Sequence, residues 1–415
     1  MKLIQIIAAI ALPLLGALRG QAAITIPGAD GSDGALNITT DTVIDLSQAV
    51  TGAWDANNTA NAGKGVYDPT KWAVVFKYSS VTVAAGKTVT FKNHASRAPV
   101  VWLISGNATI SGTVNLDGVT AAYNSPQLAD PGPGGFRGGQ GYFTVGVGRG
   151  AGFGVGGGSN TGANSYGQGG SYGSQGQGGP AIYGNPSIVP LIGGSGGGGY
   201  YNDARGGGGG AGAILIACAN SLSIGGTIRA DGGGSGGGTG GGSGGAVRLV
   251  AESLAGSGVV RCLGGGGSYA GGLGRVRIER VNNSSSITVN PDPSVVPLAP
   301  SDTALVWPPS GAPEVKIISI GGQAISSDPL ASFGTYVADA TLPQTATTQI
   351  LVETTNVEQA SQVKVRGTPR SNGDYTEVSA AVSSVVSTTP LVVRWTATLP
   401  VAIGYAAVQV KVIRP

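Results

Sequence analysis

Three stretches decide the fold when they are set one above another: PVVWLISGNATISGTVNLDG at 99–118, GAILIACANSLSIGGTIRADG at 212–232 and GAVRLVAESLAGSGVVRCLGG at 245–265. A partial fourth, LGRVRIER, follows at 273–280. Each reads as a short strand, a turn near Asn107, Asn220 or Glu252, a Gly or Ser corner, a second short strand and then glycine. Apolar side chains recur at every second position, which is the period of a β-strand. On that period Val101, Leu103 and Ser105 match Ile214, Ile216 and Cys218, and then Val247, Leu249 and Ala251. In the second strand Val114 and Leu116 match Ile228 and Ala230, and then Val260 and Cys262. A unit of about 20 residues cannot bury its own apolar face and must stack on copies of itself. The expectation is an all-β chain whose centre is a parallel β-helix spanning 99–289, with ladders of like side chains along its interior.

Working outward from the coils, residues 119–211 interrupt the first two repeats with a glycine-rich insertion, from GPGGFRGGQGYF to GGSGGGGYYNDARGGGGG. Its aromatics, Phe136, Tyr142, Phe143, Phe153, Tyr166, Tyr172, Tyr183, Tyr200 and Tyr201, have little use in a mobile linker. They favour an ordered insertion in which glycine lets backbones approach closely, as in polyproline-II bundles. Residues 23–98, with runs such as WAVVFKY (72–78), read as an N-terminal cap and first turns covering an otherwise open sheet edge. A Pro-rich stretch at 290–313 reads as a linker, and the alternating strands of 314–415 as a small Ig-like β-sandwich.

Composition agrees with this organisation. Of 415 residues, 76 are Gly and only 11% are charged, which excludes long helices because each interior Gly costs roughly 1 kcal/mol relative to Ala. A net charge of +3 with no block of like charge points to no nucleic-acid partner. Met1-Lys2, an apolar run from Leu3 to Leu18 and the small residues Gly20 and Ala22 read as a signal peptide over 1–22. No second long apolar run follows, so no transmembrane segment is expected after cleavage, and the chain is expected outside a bacterial cell, secreted or on its surface.

Groups that carry chemistry are few. His94 is the only histidine, and it reads as a structural residue at a turn. Asp117 and Asp231 occupy equivalent coil positions, but the third coil has Leu263 there, so the pair does not persist; Glu252 and Glu279 stand alone. Asp30-Gly-Ser-Asp33 lacks a full calcium-loop pattern and reads as an Asx turn. No catalytic residue, metal or cofactor is expected. Cys218 and Cys262 can form one disulfide in an exported chain, or remain two buried thiols in different coils. Arg229 with Arg261, and Arg248 with Arg277, fall at matching positions of neighbouring coils and read as outward ladders suited to the carboxylates or phosphates of an anionic glycan.

The opening PGADGSDGALN (27–37), FKNHASRAPVVWL (91–103), GPGGFRGG (132–139) and the coil repeats together resemble uncharacterised glycine-rich secreted bacterial proteins. Those are similar to the pectate-lyase-like parallel β-helix superfamily. The resemblance covers roughly 24–280 and implies a fold without an activity. The expectation is an extracellular structural or adhesive protein without enzymatic activity, whose partners are further copies of itself in fibres or matrix, or a surface polysaccharide. The alternative is a secreted module that binds or cleaves an anionic polysaccharide.

Overall fold

A computed structural model describes residues 24–123, 127–141, 149–161, 166–200, 205–326, 328–329, 335, 337–343, 346–401 and 403–415. The expected leader over 1–22, and Tyr142, Phe143 and Tyr201, lie outside the described residues. No helix among the described residues is long and apolar enough to cross a membrane.

The structure is all-β. In chain order the first strands are β1 Gly34–Ile38, β2 Thr42–Asp45, β3 Val50–Thr51, β4 Val66–Asp68, β5 Ala73–Val83, β6 Thr88–Lys92, β7 Val100–Ile104, β8 Ala108–Ile110, β9 Thr113–Asn115, β10 Ala213–Ile224, β11 Thr227–Arg229, β12 Ala246–Ala255, β13 Val259–Arg261, β14 Arg275–Asn283, β15 Thr288–Asn290 and β16 Ser294–Pro297. One sheet runs β16-β14-β12-β10-β7-β5-β4-β3, and a second runs β15-β13-β11-β9-β6-β2. Every pairing in the two is parallel except that of β4 with β5. From β5 onward the chain passes from one sheet to the other and back, each pass pairing with the one before.

The space between the sheets holds the main core, and its side chains form ladders. Val74, Val100, Ile214, Val247 and Val276 make one, and Phe76, Trp102, Ile216, Leu249 and Ile278 the next. Across from them run Val114, Ile228 and Val260. Each fully buried aliphatic side chain contributes about 1.5–3 kcal/mol relative to exposure, so the ladders dominate the stability of the stack.

The matched positions hold between the second and third coils, but the first coil is shifted by one. Ile214, Ile216 and Cys218 pair with Val100, Trp102 and Ile104, not with Val101, Leu103 and Ser105. The reason is that both faces of this sheet are covered. Val101 and Leu103 point outward into a second cluster with Ile24, Ile26, Ala304 and Val306. A run that is apolar on both faces has no alternation to set its register. The same cluster shows that 290–313, expected as a linker, lies along the stack: it supplies β16, and Thr303 bridges Thr25.

Glycine-rich arms leave the stack at the same corner in three successive passes, between β9 and β10, β11 and β12, and β13 and β14. They pack side by side with a three-residue rhythm. Gly207, Gly210 and Ala213 donate to the carbonyls of Gly139, Phe136 and Pro133. The residues between face other neighbours: Gly208 and Ala211 donate to Gly240 and Ser243, and Gly209 and Gly212 to Val119 and Leu116. A chain with three residues per turn and no internal hydrogen bonds does this, turning each third N–H toward a different partner. Glycine is required by the spacing of the helices: a Cβ at Gly208 would collide with the Gly233 carbonyl, and one at Gly197 with that of Gly240. The bundle therefore includes 230–245 and 262–275 as well as much of 119–211.

After residue 313 come β17 Glu314–Ile320, β18 Gln323–Ala324, β19 Thr347–Thr355, β20 Gln362–Pro369, β21 Thr376–Thr388, β22 Leu391–Pro400 and β23 Ala406–Ile413. They form an antiparallel sheet in the order β18-β17-β19-β22-β21-β20-β23. β21 makes its corner, pairing through Thr376–Ala380 with β20 and through Ala381–Thr388 with β22. Val352, Val365, Val393 and Trp395 fill the inside, with the Trp395 indole donating to Thr354 Oγ1 at 2.9 Å.

Candidate functional site

The second parallel sheet carries the polar residues singled out from the sequence. Arg229 lies in register with Asn115 on one side and Arg261 on the other, as the repeat alignment requires. Each arginine, however, is met by a carboxylate from the preceding coil. Arg229 Nε is 3.2 Å from Asp117 Oδ2, and Arg261 Nε is 2.8 Å from Asp231 Oδ2, both off the line of a hydrogen bond. The same aspartates accept from the backbone of the following coil: the Asp231 N–H donates to Asp117 and the Leu263 N–H to Asp231, both at 2.9 Å. Burial pushes the Asp117 carboxyl above its ordinary value, against the Asp231 N–H and Arg229, which pull it down. Both side chains are about one-third exposed, Arg229 at 33% and Arg261 at 37%, so this ladder lines solvent while its charge is balanced within the protein.

The second ladder is not outward-facing in the sense expected. Arg248 and Arg277 are paired in register, but Arg248 is only 2% exposed. Glu279 lies between them and accepts from both Nε atoms at 2.7 Å. Burial works to raise the Glu279 carboxyl, and the hydrogen bonds and charges of the two arginines outweigh it, so the net shift is downward. The outer face of this sheet is covered, which turns a surface ladder into a buried triad.

Beside Asp117 opens a groove of about 580 Å³, lined among others by Lys92, His94, Arg97, Asn115, Asp117 and Asp130. Asp130 Oδ1 accepts from Arg97 at 3.1 Å and from Arg137 at 2.9 Å, tying the turn before β7 to the glycine bundle. His94 is packed in a turn. Its ring lies 4.2 Å from that of Tyr67, and Nδ1 is 2.8 Å from the hydroxyl of fully buried Ser96. The Tyr67 hydroxyl donates to Asp328 at 3.0 Å. Burial pulls the imidazole below its ordinary value, with Asp328 opposing. The Ser96 hydroxyl accepts from the Ala98 N–H and is closed to a substrate, so the His94–Ser96 contact shapes the turn.

Asp33 accepts from Asn58 Nδ2, Gly63 N and Lys77 N, which satisfies it without a cation, and no group of three or more ligating side chains occurs among the described residues. Cys218 and Cys262 are free and buried, so the disulfide does not form. Cys218 belongs to β10 in the first sheet, and Cys262 follows β13 in the second, on opposite walls of the core. Burial pushes the Cys218 thiol up to about 11 and raises Cys262 as well, leaving both unreactive.

One polar cluster has no counterpart in the sequence reading. Arg366 on β20 is 3% exposed and donates to three carbonyls of the glycine bundle, those of Gly152 (3.1 Å), Val155 (3.3 Å) and Gly157 (2.9 Å). Its guanidinium lies 3.5 Å from the Tyr375 ring centroid, and burial lowers its pKa to about 10. Next to it Asp374 accepts from Ser159 and Thr161 hydroxyls at 2.6 and 2.9 Å. Asn160 Nδ2 donates to the carbonyls of Arg149 and Gly373. The signal available in the sequence was Arg366 in an otherwise apolar strand and Asp374 in a turn, neither of which names a partner some 210 residues away. No family model, curated protein or solved structure matches the chain.

Proposed function

We propose that the chain is an exported extracellular structural or adhesive protein, with the parallel stack serving as a β-helix stem of the pectate-lyase-like kind and the C-terminal strands as a sandwich domain. In this reading it works by holding a shape, and turns over no substrate. The observation that carries it is the joint at Arg366. A buried guanidinium bound to three backbone carbonyls, reinforced by Asp374, clamps the antiparallel domain to the glycine bundle, and the bundle is continuous with the stack. Three regions held as one body suit reach and durability more than the hinged closure of an active site. The groove is consistent with this, since its carboxylates Asp117 and Asp130 are each engaged by an arginine.

Self-assembly is supported by the open side of β21. Among the described residues Ala381–Thr388 pairs only with β22, carries no charge and exposes Val382, Val385 and Val386. An uncharged open edge accepts the same strand of a second copy without like-charge opposition. The test is electron microscopy and sedimentation of the purified protein beside Val385→Lys. Filaments or large assemblies that the lysine abolishes are the expected result. Monodisperse monomers at all concentrations, with release of oligosaccharides from pectin or alginate, would overturn the reading in favour of the glycan-cleaving alternative.

A further inference from the structure

The main core is closed at one end and open at the other. At the first coil β4 folds back antiparallel on β5, and Leu46, just after β2, is fully buried against the ladders. At the last coil the ladder of Phe76, Trp102, Ile216, Leu249 and Ile278 ends on Val295 of β16, in register with Ile278. Ile278 is 5% exposed and Val295 45%. Ile287 and Val289 finish the opposite wall and are only half-buried. The segment that follows β16 does not cap this end. It runs back along the outer face, where Thr303 bridges Thr25 and Trp307 meets Trp54 at 5.3 Å between ring centroids.

Among the described residues β15 and β16 are also the last strands of their sheets, each unpaired on its outer side. The Ser286 and Thr288 N–H groups donate to Gly256 and Gly258, and the Leu298 N–H to Arg280. Successive residues of a strand in a parallel sheet turn to opposite neighbours, so Ile287, Val289 and Val295 aim their N–H and C=O groups off the stack. Pro291, Pro293 and Pro297 remove the next donors on either side. A long foreign strand gains little from so short a row. A two-fold contact needs no more, because a residue opposite its own copy in an antiparallel pair can exchange both bonds.

We propose that this end of the stack docks on the same end of a second copy. One axis normal to the two sheets reverses the stack and the strands together and leaves each sheet in its plane. β16 then meets β16, β15 meets β15, and Val289 and Val295 of the two copies bury each other. The same rotation lays the β15–β16 turn of one copy over the β14–β15 corner of the other. Asp292 sits in that turn and Arg280 at that corner, the only charged residues in 280–297. Neither has an ion-pair partner among the described residues. Opposite charges therefore meet twice across the contact. The proposal rests on the self-assembling reading above and completes it. Pairing of β21 with its own copy is isologous and closes at a dimer, so growth into fibres requires a second contact.

Sedimentation of the secreted chain tests it in a Val385→Lys background, where β21 is blocked. The expected result is a monomer–dimer equilibrium with a Kd of about 100 μM or tighter. Asp292→Arg, in an exposed turn, sets like charges together and weakens the dimer at least about tenfold, and Arg280→Asp combined with Asp292→Arg restores it. With β21 intact, Asp292→Arg alone reduces filaments to dimers. Hydrogen exchange at the Val289 and Val295 amides slows as protein concentration rises. A Val385→Lys chain that stays monomeric while wild type assembles overturns the proposal and leaves assembly through β21 standing. Monomers in both overturn the two together. A dimer indifferent to Asp292→Arg assigns the contact to another surface and overturns the proposal. Protection of the two amides in the monomer, at every concentration, overturns it in favour of cover by a segment of the same chain.

Discussion

The parallel stack and the glycine bundle meet the same requirement, pairing every buried backbone group, by opposite means. In the stack, strands pair in two directions only, and side chains fill the space between sheets. In the bundle each chain has neighbours on three sides, and backbone fills the space where side chains would be. A side-chain core can relax when an atom is added or removed, because rotamers and neighbours give way. A core made of carbonyls and amides has no soft component. The difference teaches where the chain tolerates change, and it is open to direct measurement.

The largest effect is expected in the bundle. Gly208→Ala places a methyl group against the Gly233 carbonyl, and should cost at least about 4 kcal/mol, above the usual 1–3 kcal/mol for an overpacked core because the obstacle is backbone. Urea unfolding of the variant beside wild type measures it, and a cost below about 1 kcal/mol would show that the arms move apart easily. Next comes Glu279→Gln in the buried triad, where Arg248 loses its counter-charge; breaking such a pair costs about 3–5 kcal/mol. The same unfolding assay reads it, and a neutral outcome would mean that Arg248 escapes to solvent. Arg366→Met leaves three carbonyls of the bundle without a donor, at about 1–3 kcal/mol or more in sum. Calorimetry should then show the antiparallel domain melting separately from the rest. Ile216→Val, one methyl removed from a stack ladder, should cost only about 0.5–1.5 kcal/mol, the counterpart that makes the Gly208 result interpretable.

Acid gives the gentlest probe. His94 has a folded value below its ordinary 6.5, so the unfolded chain takes up the proton first as pH falls. Its contribution is present above pH 6.5 and is lost on acidification below it. Glu279, also depressed, adds loss in the same direction from its ordinary 4.5 downward, while Asp117, raised from 3.8, works against both. The thermal midpoint should therefore fall between pH 7 and pH 5 in wild type and fall less in His94→Gln. An equal fall in both would assign the acid sensitivity elsewhere.

Much of the stack was legible in the sequence, because a repeat that buries one face shows its period. Ile214, Ile216 and Cys218 align with Val247, Leu249 and Ala251 in the structure as they do in the text of the chain. The slip at Val101 arose where the outer face was covered too, and the covering segments, 24–26 and 304–306, lie far off in sequence at both ends of the region. The arginine ladders were legible as register and illegible as chemistry. Arg229 finds Asp117 across an insertion of more than ninety residues, and only the fold brings the two together. The bundle was legible as glycine and aromatic content, but its three-residue rhythm is invisible because glycine occupies nearly every position that the rhythm would distinguish.

The shared corner from which the arms depart has a consequence for how such a molecule changes over time. Duplicating one pass of the stack adds an arm to the bundle as well, so height and girth are inherited together. Lengthening an arm does something else: it advances the tip while leaving the stem untouched, but only if its neighbours lengthen by the same multiple of three residues, since a lone extension would leave amides facing nothing. Variation in reach is thus quantised and concerted, whereas the identity of the residues at the very end is free to drift one position at a time.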